Sequence, residues 1–498
     1  METGPRPSTV AVLADHAPLL ERAFAIVPHE GSRLVSDVRG TLPPFLEGTC
    51  LLNGPARFER GDLHYRHWLD GDGMVCALAF GRDGVRFTNR FVRSDKFVAE
   101  EAAGRPVFRT FGTAFAGDVL KRGIGLESPV NVSVYPYGDA LLAFGEQGLP
   151  WALDPATLET RGPFTFGSQL NEITPFSAHP KIDHHTGELF NFGVSFSPQN
   201  PALNVFRFDP KGALVYRRRI PLPYPSSMHD FALSGKYAVF FVSPLILNMG
   251  ALLQSGSTLM DALSWQPERG SRLLIVSRDA GALVASIPAG DKHVLHLVNA
   301  FERGDRLLVD IVEFEKPLYP EYQVIPHLFT DTFRGRPVRL VVDVDAPAIV
   351  ERRAIDYACS PDFPAHDVEL TAHPYRYFWM LGISQAGKAG RKFFDQLVRI
   401  DMDEERADVY QAPPKHYLGG EPLFIPDMTG RARLSAERSG AVERPGIVIC
   451  QLFDAERERS SFVVFDAHRV AAGPIATLTL ESPIPLLFHA SFLPHAHS

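Results

Sequence analysis

Five times along this chain of 498 residues a strand-like run ends in an aspartate, turns and begins again. The copies are Trp151–Thr160, Val205–Tyr216, Leu340–Val350, Leu397–Tyr410 and Phe462–Leu478. Aspartate suits the first corner of a tight turn because its carboxylate bonds the backbone two residues on. The flanking runs alternate apolar and polar residues and are rich in aromatic and β-branched types, which is the pattern of strands. Similar runs recur elsewhere, among them VRFTNRFV, YAVFFVS, RLLIVS, YRYFWMLG and GIVICQLF. A hairpin repeated at roughly regular intervals implies repeated antiparallel blades, and closing them into a ring protects the sheet edges. The pattern therefore favours an all-β propeller over two packed domains, although any large β protein has aspartate-led hairpins.

No Pro/Ser/Gly-rich linker divides the chain, so residues 1–498 are read as one domain, with residues 1 to about 30 as an N-terminal extension. Two stretches read as helix: His16–Phe24, and Leu245–Trp265, whose apolar face is broken by Gly and Ser. The net charge of −8 arises from 50 basic and 58 acidic residues without a basic block, which argues against nucleic acid as a partner. The four cysteines, Cys50, Cys76, Cys359 and Cys450, are scattered and form no CxxC pair. They read as reduced thiols of a cytoplasmic protein. The N-terminus lacks the apolar core of a signal peptide, and no apolar run is long enough to span a bilayer. Phenylalanine is unusually frequent, at 36 residues, which fits either an aromatic core or an apolar tunnel.

Eighteen histidines are available, but no HExxH or HxH spacing marks any of them as a metal ligand. His184 and His185 read as turn residues, and His495 and His497 as part of a frayed tail. There is no GxGxxG opening a helix and no Walker A sequence, so no organic cofactor is signalled.

Eight ordered segments carry more specific information. They are HWLDGDGMV (His67–Val75), EQGLPWALDPATLET (Glu146–Thr160), SAHPKIDHHTGELFNFG (Ser177–Gly193), SMHDFALSGKYAVF (Ser227–Phe240), HLVNAFE (His296–Glu302), GGEPLFIP (Gly419–Pro426), FDAHRVAAGPIATLTL (Phe465–Leu480) and LLFHASF (Leu486–Phe492). Together they resemble the carotenoid cleavage oxygenase family over most of the chain. The resemblance implies a seven-bladed β-propeller with one iron(II) on its axis and a cap of helices and loops over one face. Its four ligands fall on His179, His229, His296 and His489. Neutral imidazole suits Fe(II), and a second acceptor usually fixes the tautomer of each ligating ring. The family uses three glutamates for this, which fall on Glu146, Glu421 and Glu369. Around Glu369 the sequence departs from the family pattern, and a solvated glutamate before a strand is the competing reading. No glutamate is assigned to His179.

The implied activity is cleavage of a carbon–carbon double bond by O2 into two carbonyl products. Stilbenoid-cleaving members resemble one another in a tyrosine and a lysine that hold the phenol. Those positions fall on Phe91 and near Glu127–Ser128, which favours a carotenoid or apocarotenoid substrate. Val132 stands where many microbial members carry threonine, and with Phe91 it is expected to line the substrate tunnel. A polyene must be collected from a membrane, so Leu245–Trp265 is expected to make a peripheral membrane contact. Two other readings stand beside this one: a stilbenoid-cleaving dioxygenase, and a non-catalytic propeller that binds a partner.

Overall fold

The computed structural model describes residues 14–146, 148–254, 256–322, 325, 327–357, 359–428 and 444–495. Seven antiparallel sheets follow one another around a ring, making a seven-bladed propeller, here numbered I to VII. The innermost strands are His489–Pro494 (I), Ser133–Tyr137 (II), Lys181–Asp183 (III), Ala232–Leu233 (IV), His293–Arg303 (V), Ser360–His366 (VI) and His416–Pro426 (VII). These strands pack against one another about the axis.

Period-two alternation builds the spaces between blades. In the blade IV strand Tyr237–Val242, Ala238, Phe240 and Val242 pack toward blade III, while Val239 and Phe241 pack toward blade V. In blade I, Met74, Cys76, Leu78 and Phe80 face blade VII, while Val75 and Ala77 face blade II. Each blade thus buries both of its faces, which is why its strands read as nearly continuous apolar runs.

The ring is closed twice. The C-terminal strand His489–Pro494 joins blade I beside Gly48–Pro55, and the N-terminal strand Asp37–Gly40 completes blade VII beside Ala476–Thr479. All five repeated hairpins occupy equivalent places: they are the third-to-fourth strand turns of blades II, III, V, VI and VII. Blade IV has the same hairpin, Arg272–Ser277 to Leu283–Pro288, with Ser277 at the corner in place of aspartate. All four cysteines are free, and Cys50, Cys76 and Cys450 are buried.

The expected helix over Leu245–Trp265 is not formed. The segment is a hairpin of Leu245–Leu247 with Leu263–Trp265, carrying two single helical turns, Met249–Leu252 and Leu259–Ala262. Asn248 and Thr258 cap those turns through their side chains. Gly256 lies at φ +76°, in the region that glycine alone enters freely, and helps end the periodicity. Within the expected helix His16–Phe24, only Glu21–Phe24 is helical, and Phe24 is buried against Phe58, Trp68 and Phe393.

Candidate metal centre

The segment HWLDGDGMV braces the entrance to blade II. Asp70 accepts from the Gly112 amide at 2.8 Å and the Thr113 hydroxyl at 2.6 Å, and Asn131 donates to the carbonyls of Leu69 and Gly71 at 2.9 and 2.7 Å. A Cβ on Gly73 would lie 2.0 Å from the Val130 carbonyl oxygen, so only glycine permits this approach. Val130 itself is held at φ +55°, a strained value for a β-branched residue. The bracing fixes Val132, whose carbonyl accepts from the His489 amide at 3.3 Å.

The axis gathers the four histidines. His179 and His229 directly precede the innermost strands of blades III and IV, and His296 and His489 lie within those of V and I. All four are buried, and one ring nitrogen from each lies within 4.8 Å of the others. The Nε2 atoms of His179 and His229 are 2.8 Å apart, and those of His229 and His296 are 3.2 Å apart.

Carboxylates stand behind the rings. Both oxygens of Glu146 lie 2.8 Å from His229 Nδ1. Asp362 Oδ1 lies 2.6 Å from His296 Nδ1, and Asp362 Oδ2 accepts from the Tyr322 hydroxyl at 2.8 Å. Glu421 Oε2 is 3.4 Å from His489 Nδ1, a contact too long for a well-formed hydrogen bond. Among the described residues no carboxylate faces His179 in this way.

This wiring decides what the centre can hold. A carboxylate only accepts, so Nδ1 of His229 and of His296 carries the proton and each Nε2 presents a lone pair. Two lone pairs 3.2 Å apart in a buried site repel unless a cation lies between them. With metal–imidazole bonds of about 2.1 Å, ligand nitrogens at right angles stand roughly 3 Å apart, the spacing seen here. The donor set therefore fits a divalent transition metal.

The electrostatics differ between the ligands. Burial, reinforced by the other three imidazoles, pulls His179 well below the usual histidine range. Burial also disfavours the imidazolium of His296, but the charge and hydrogen bond of Asp362 outweigh it and raise that pKa. For Asp362, burial pushes the carboxyl up, and His296 together with the Tyr322 hydroxyl holds it below its ordinary value.

The chain matches the model of the retinal pigment epithelial membrane protein family over residues 24–494. It belongs to that family, the carotenoid cleavage oxygenases. The apocarotenoid-15,15'-oxygenase of a Synechocystis strain is 31% identical over 95% of both chains. An isoeugenol monooxygenase of Pseudomonas nitroreducens is 26% identical over 92% of this chain and 94% of its own. A crystal structure of the cobalt-substituted Synechocystis apocarotenoid oxygenase superposes with a TM-score of 0.85 at 29% identity, covering 97% of this chain and all of that one.

Against the family's pattern, one expected acid is displaced. The Glu369 carboxylate does not reach any of the four axial histidines. It lies in the single turn Val368–Leu370, 49% exposed, and pairs with Arg444 at 2.5 Å. The acid behind His296 is Asp362, which sits on the innermost strand of blade VI, whereas Glu369 follows that strand's end. A register break between Asp362 and Ala365, with Phe363 at φ +54°, sets the shorter carboxylate at the level of His296. Phe363 then packs between the rings of His296 and His489, at 5.6 and 5.3 Å.

Phe91 is also away from the axis. Its ring is buried between blades I and VII, stacked on Phe97 at 5.3 Å and covered by Arg57. The backbone strand places it there: Phe91 ends the strand Gly84–Phe91 of blade I and pairs with Met74. Val132 does lie near the centre, in the aromatic cluster that includes Trp68, Phe363 and Phe488. Glu127 is paired with Lys121 at 2.7 Å. Beside the cluster, Leu245, Met260, Leu263, Trp265, Pro317 and Tyr319 line a cavity of about 190 Å³.

Proposed function

We propose that this chain is an iron(II)-dependent dioxygenase that cleaves a carbon–carbon double bond of a carotenoid or apocarotenoid, adding one atom of O2 to each of two carbonyl products. The observation that carries this reading is the convergence of four buried imidazole nitrogens within 4.8 Å, with no carboxylate among them. Bound there, one Fe(II) per chain would supply the redox chemistry that makes O2 reactive toward an electron-rich alkene.

The chain's own residues do the rest. Glu146 and Asp362 hold protons on Nδ1 of His229 and His296, which turns each Nε2 lone pair to the axis. Burial keeps His179 unprotonated and ready to bind metal. Phe363, Phe488, Trp68 and Val132 wall the centre with apolar surface that excludes competing water. The reaction moves no proton between substrate and product, so no side chain is assigned as acid or base.

One observation favours a second reading, a short phenolic alkene of the stilbenoid kind. The cavity beside Trp265 measures about 190 Å³, below the roughly 300–1,000 Å³ usual for drug-sized ligands, in keeping with relatives named for isoeugenol. The deciding experiment incubates iron-loaded enzyme with carotenoids, apocarotenals and stilbenoids and reads product masses. Aldehydes from the polyenes support the main reading. Aldehydes from the phenolic alkenes alone replace it with the second. A protein that binds no iron and cleaves nothing would be a non-catalytic propeller.

The hairpin Leu245–Trp265 carries the proposed peripheral membrane contact. Leu253 is 48% exposed at its tip. Arg109 ties the neighbouring loop, which bears exposed Val119, to the carbonyls of Leu252, Gln254 and Ser257. Among the described residues no helix is long and apolar enough to cross a membrane.

A further inference from the structure

The innermost strand of blade V holds a second histidine, His293, at its first position, ahead of His296. In an unbroken strand, residues three apart face opposite sides. Here the register breaks between Val294 and Leu297, and the titratable groups that His293 faces are Asp362, His229 and His296. It therefore lies on the side of the metal centre without belonging to it.

His293 is 1% exposed, and neither of its ring nitrogens has a hydrogen-bond partner among the described residues. An unmet buried polar group is costly, because its lost hydration is not replaced. Burial pulls its pKa down to about 3, so the ring stays neutral and offers one donor and one acceptor. The ring meets Trp265 edge to face at 5.9 Å, and Trp265 forms a wall of the 190 Å³ cavity. Tyr319, another wall of that cavity, meets Tyr322 edge to face at 6.5 Å, and the Tyr322 hydroxyl donates at 2.8 Å to Asp362, the carboxylate behind His296. The cavity and the metal centre are thus neighbours, and His293, in contact with the cavity wall Trp265, is an unsatisfied buried polar group on the strand that bears His296.

We propose that His293 is a specificity residue that hydrogen-bonds an oxygen function of the substrate, a hydroxyl, carbonyl or phenol, lodged beside Trp265. The chain then takes an oxygenated alkene in preference to the hydrocarbon of the same skeleton. A site built to bond an oxygen rejects the analogue lacking it, because its own polar group is left unpaired. The inference rests on the proposed alkene cleavage for the identity of the ligand, so binding is measured apart from turnover.

The test uses full-length metal-free protein and follows tryptophan fluorescence. The probes are a polyene aldehyde, its alcohol and its parent hydrocarbon, with 4-hydroxystilbene and stilbene as a second pair. Wild type is expected to bind the oxygenated member of one series about tenfold more tightly, the worth of one buried hydrogen bond. H293F should abolish that preference and leave the hydrocarbon's Kd unchanged, while H293Q, which keeps a donor and an acceptor, should retain it. H293M replaces H293F if the latter does not fold. No preference in wild type, an undiminished preference in H293F, or equal weakening of both members of a pair overturns the proposal. The iron-loaded enzyme is assayed separately. Absence of cleavage beside a preference that depends on His293 would refute the cleavage reading and leave the binding role standing.

Discussion

Asp362 offers the sharpest test of the metal centre, because the family pattern pointed to Glu369 instead. In Asp362→Asn the side chain keeps its size and can still turn an oxygen to His296. What is lost is the charge. The 2.6 Å bond from His296 Nδ1 and the 2.8 Å bond from Tyr322 become neutral contacts. A hydrogen bond to a charged group contributes about 1.5–3 kcal/mol and a neutral one about 0.5–1.5, so roughly 1–1.5 kcal/mol is lost at His296. That is about a tenfold drop in metal affinity, at the lower edge of the 10- to 100-fold range for partners of metal-bound histidines. Glu369→Gln changes only a pair with Arg444 away from the four histidines and should alter affinity less than about twofold. Both variants are loaded with Fe(II) against a competing chelator, and kcat/KM is measured alongside. Loss of affinity in Glu369→Gln with none in Asp362→Asn would refute the assignment and the role given to the carboxylate.

Three further outcomes are expected. Lys96 is fully buried between Asp72 and Glu100 at 2.8 Å from each, so Lys96→Met should destabilise the fold by about 3–5 kcal/mol in chemical unfolding, against less than about 1 kcal/mol for Lys121→Met at the more open Glu127 pair. Buried His67 is held neutral by burial down to about pH 4, while the unfolded chain takes up that proton near 6.5; stability of the metal-free protein should therefore fall by about 3 kcal/mol as pH drops from 6.5 to 4, and His67→Gln should flatten that slope. Leu253→Glu should release the protein from liposomes in co-sedimentation without changing turnover of detergent-dispersed substrate, and unchanged sedimentation would refute the membrane contact.

What the sequence made legible followed from periodicity and from motif. The five aspartate-led hairpins map onto one recurrent position in the blades, because a tight turn between exposed outer strands needs the same local chemistry each time. The four histidines were legible through motif alone; nothing in their spacing brings them together, and only ring closure does. The hairpin at Leu245–Trp265 was misread because its apolar positions suit a helix face, while pairing of Leu245 with Trp265 settles the backbone otherwise. Phe91 was misplaced because a motif match fixes a position along the chain without fixing which face of its strand is turned to the axis.

The misplaced acid has a geometric cause that the fold itself supplies. In a ring of blades, side chains can reach the axis from the innermost strands and from the loops that open onto the same end of the channel. His296, Asp362 and Glu421 lie on the innermost strands of three successive blades, at matching depth. Glu369 lies past the end of its strand, where its carbonyl accepts from His185 and its carboxylate meets Arg444 instead of His296. Blade position thus constrains the identity of a supporting acid more tightly than residue type does. An aspartate at the right depth, completed by the Tyr322 hydroxyl, performs the task that a glutamate at the wrong depth cannot.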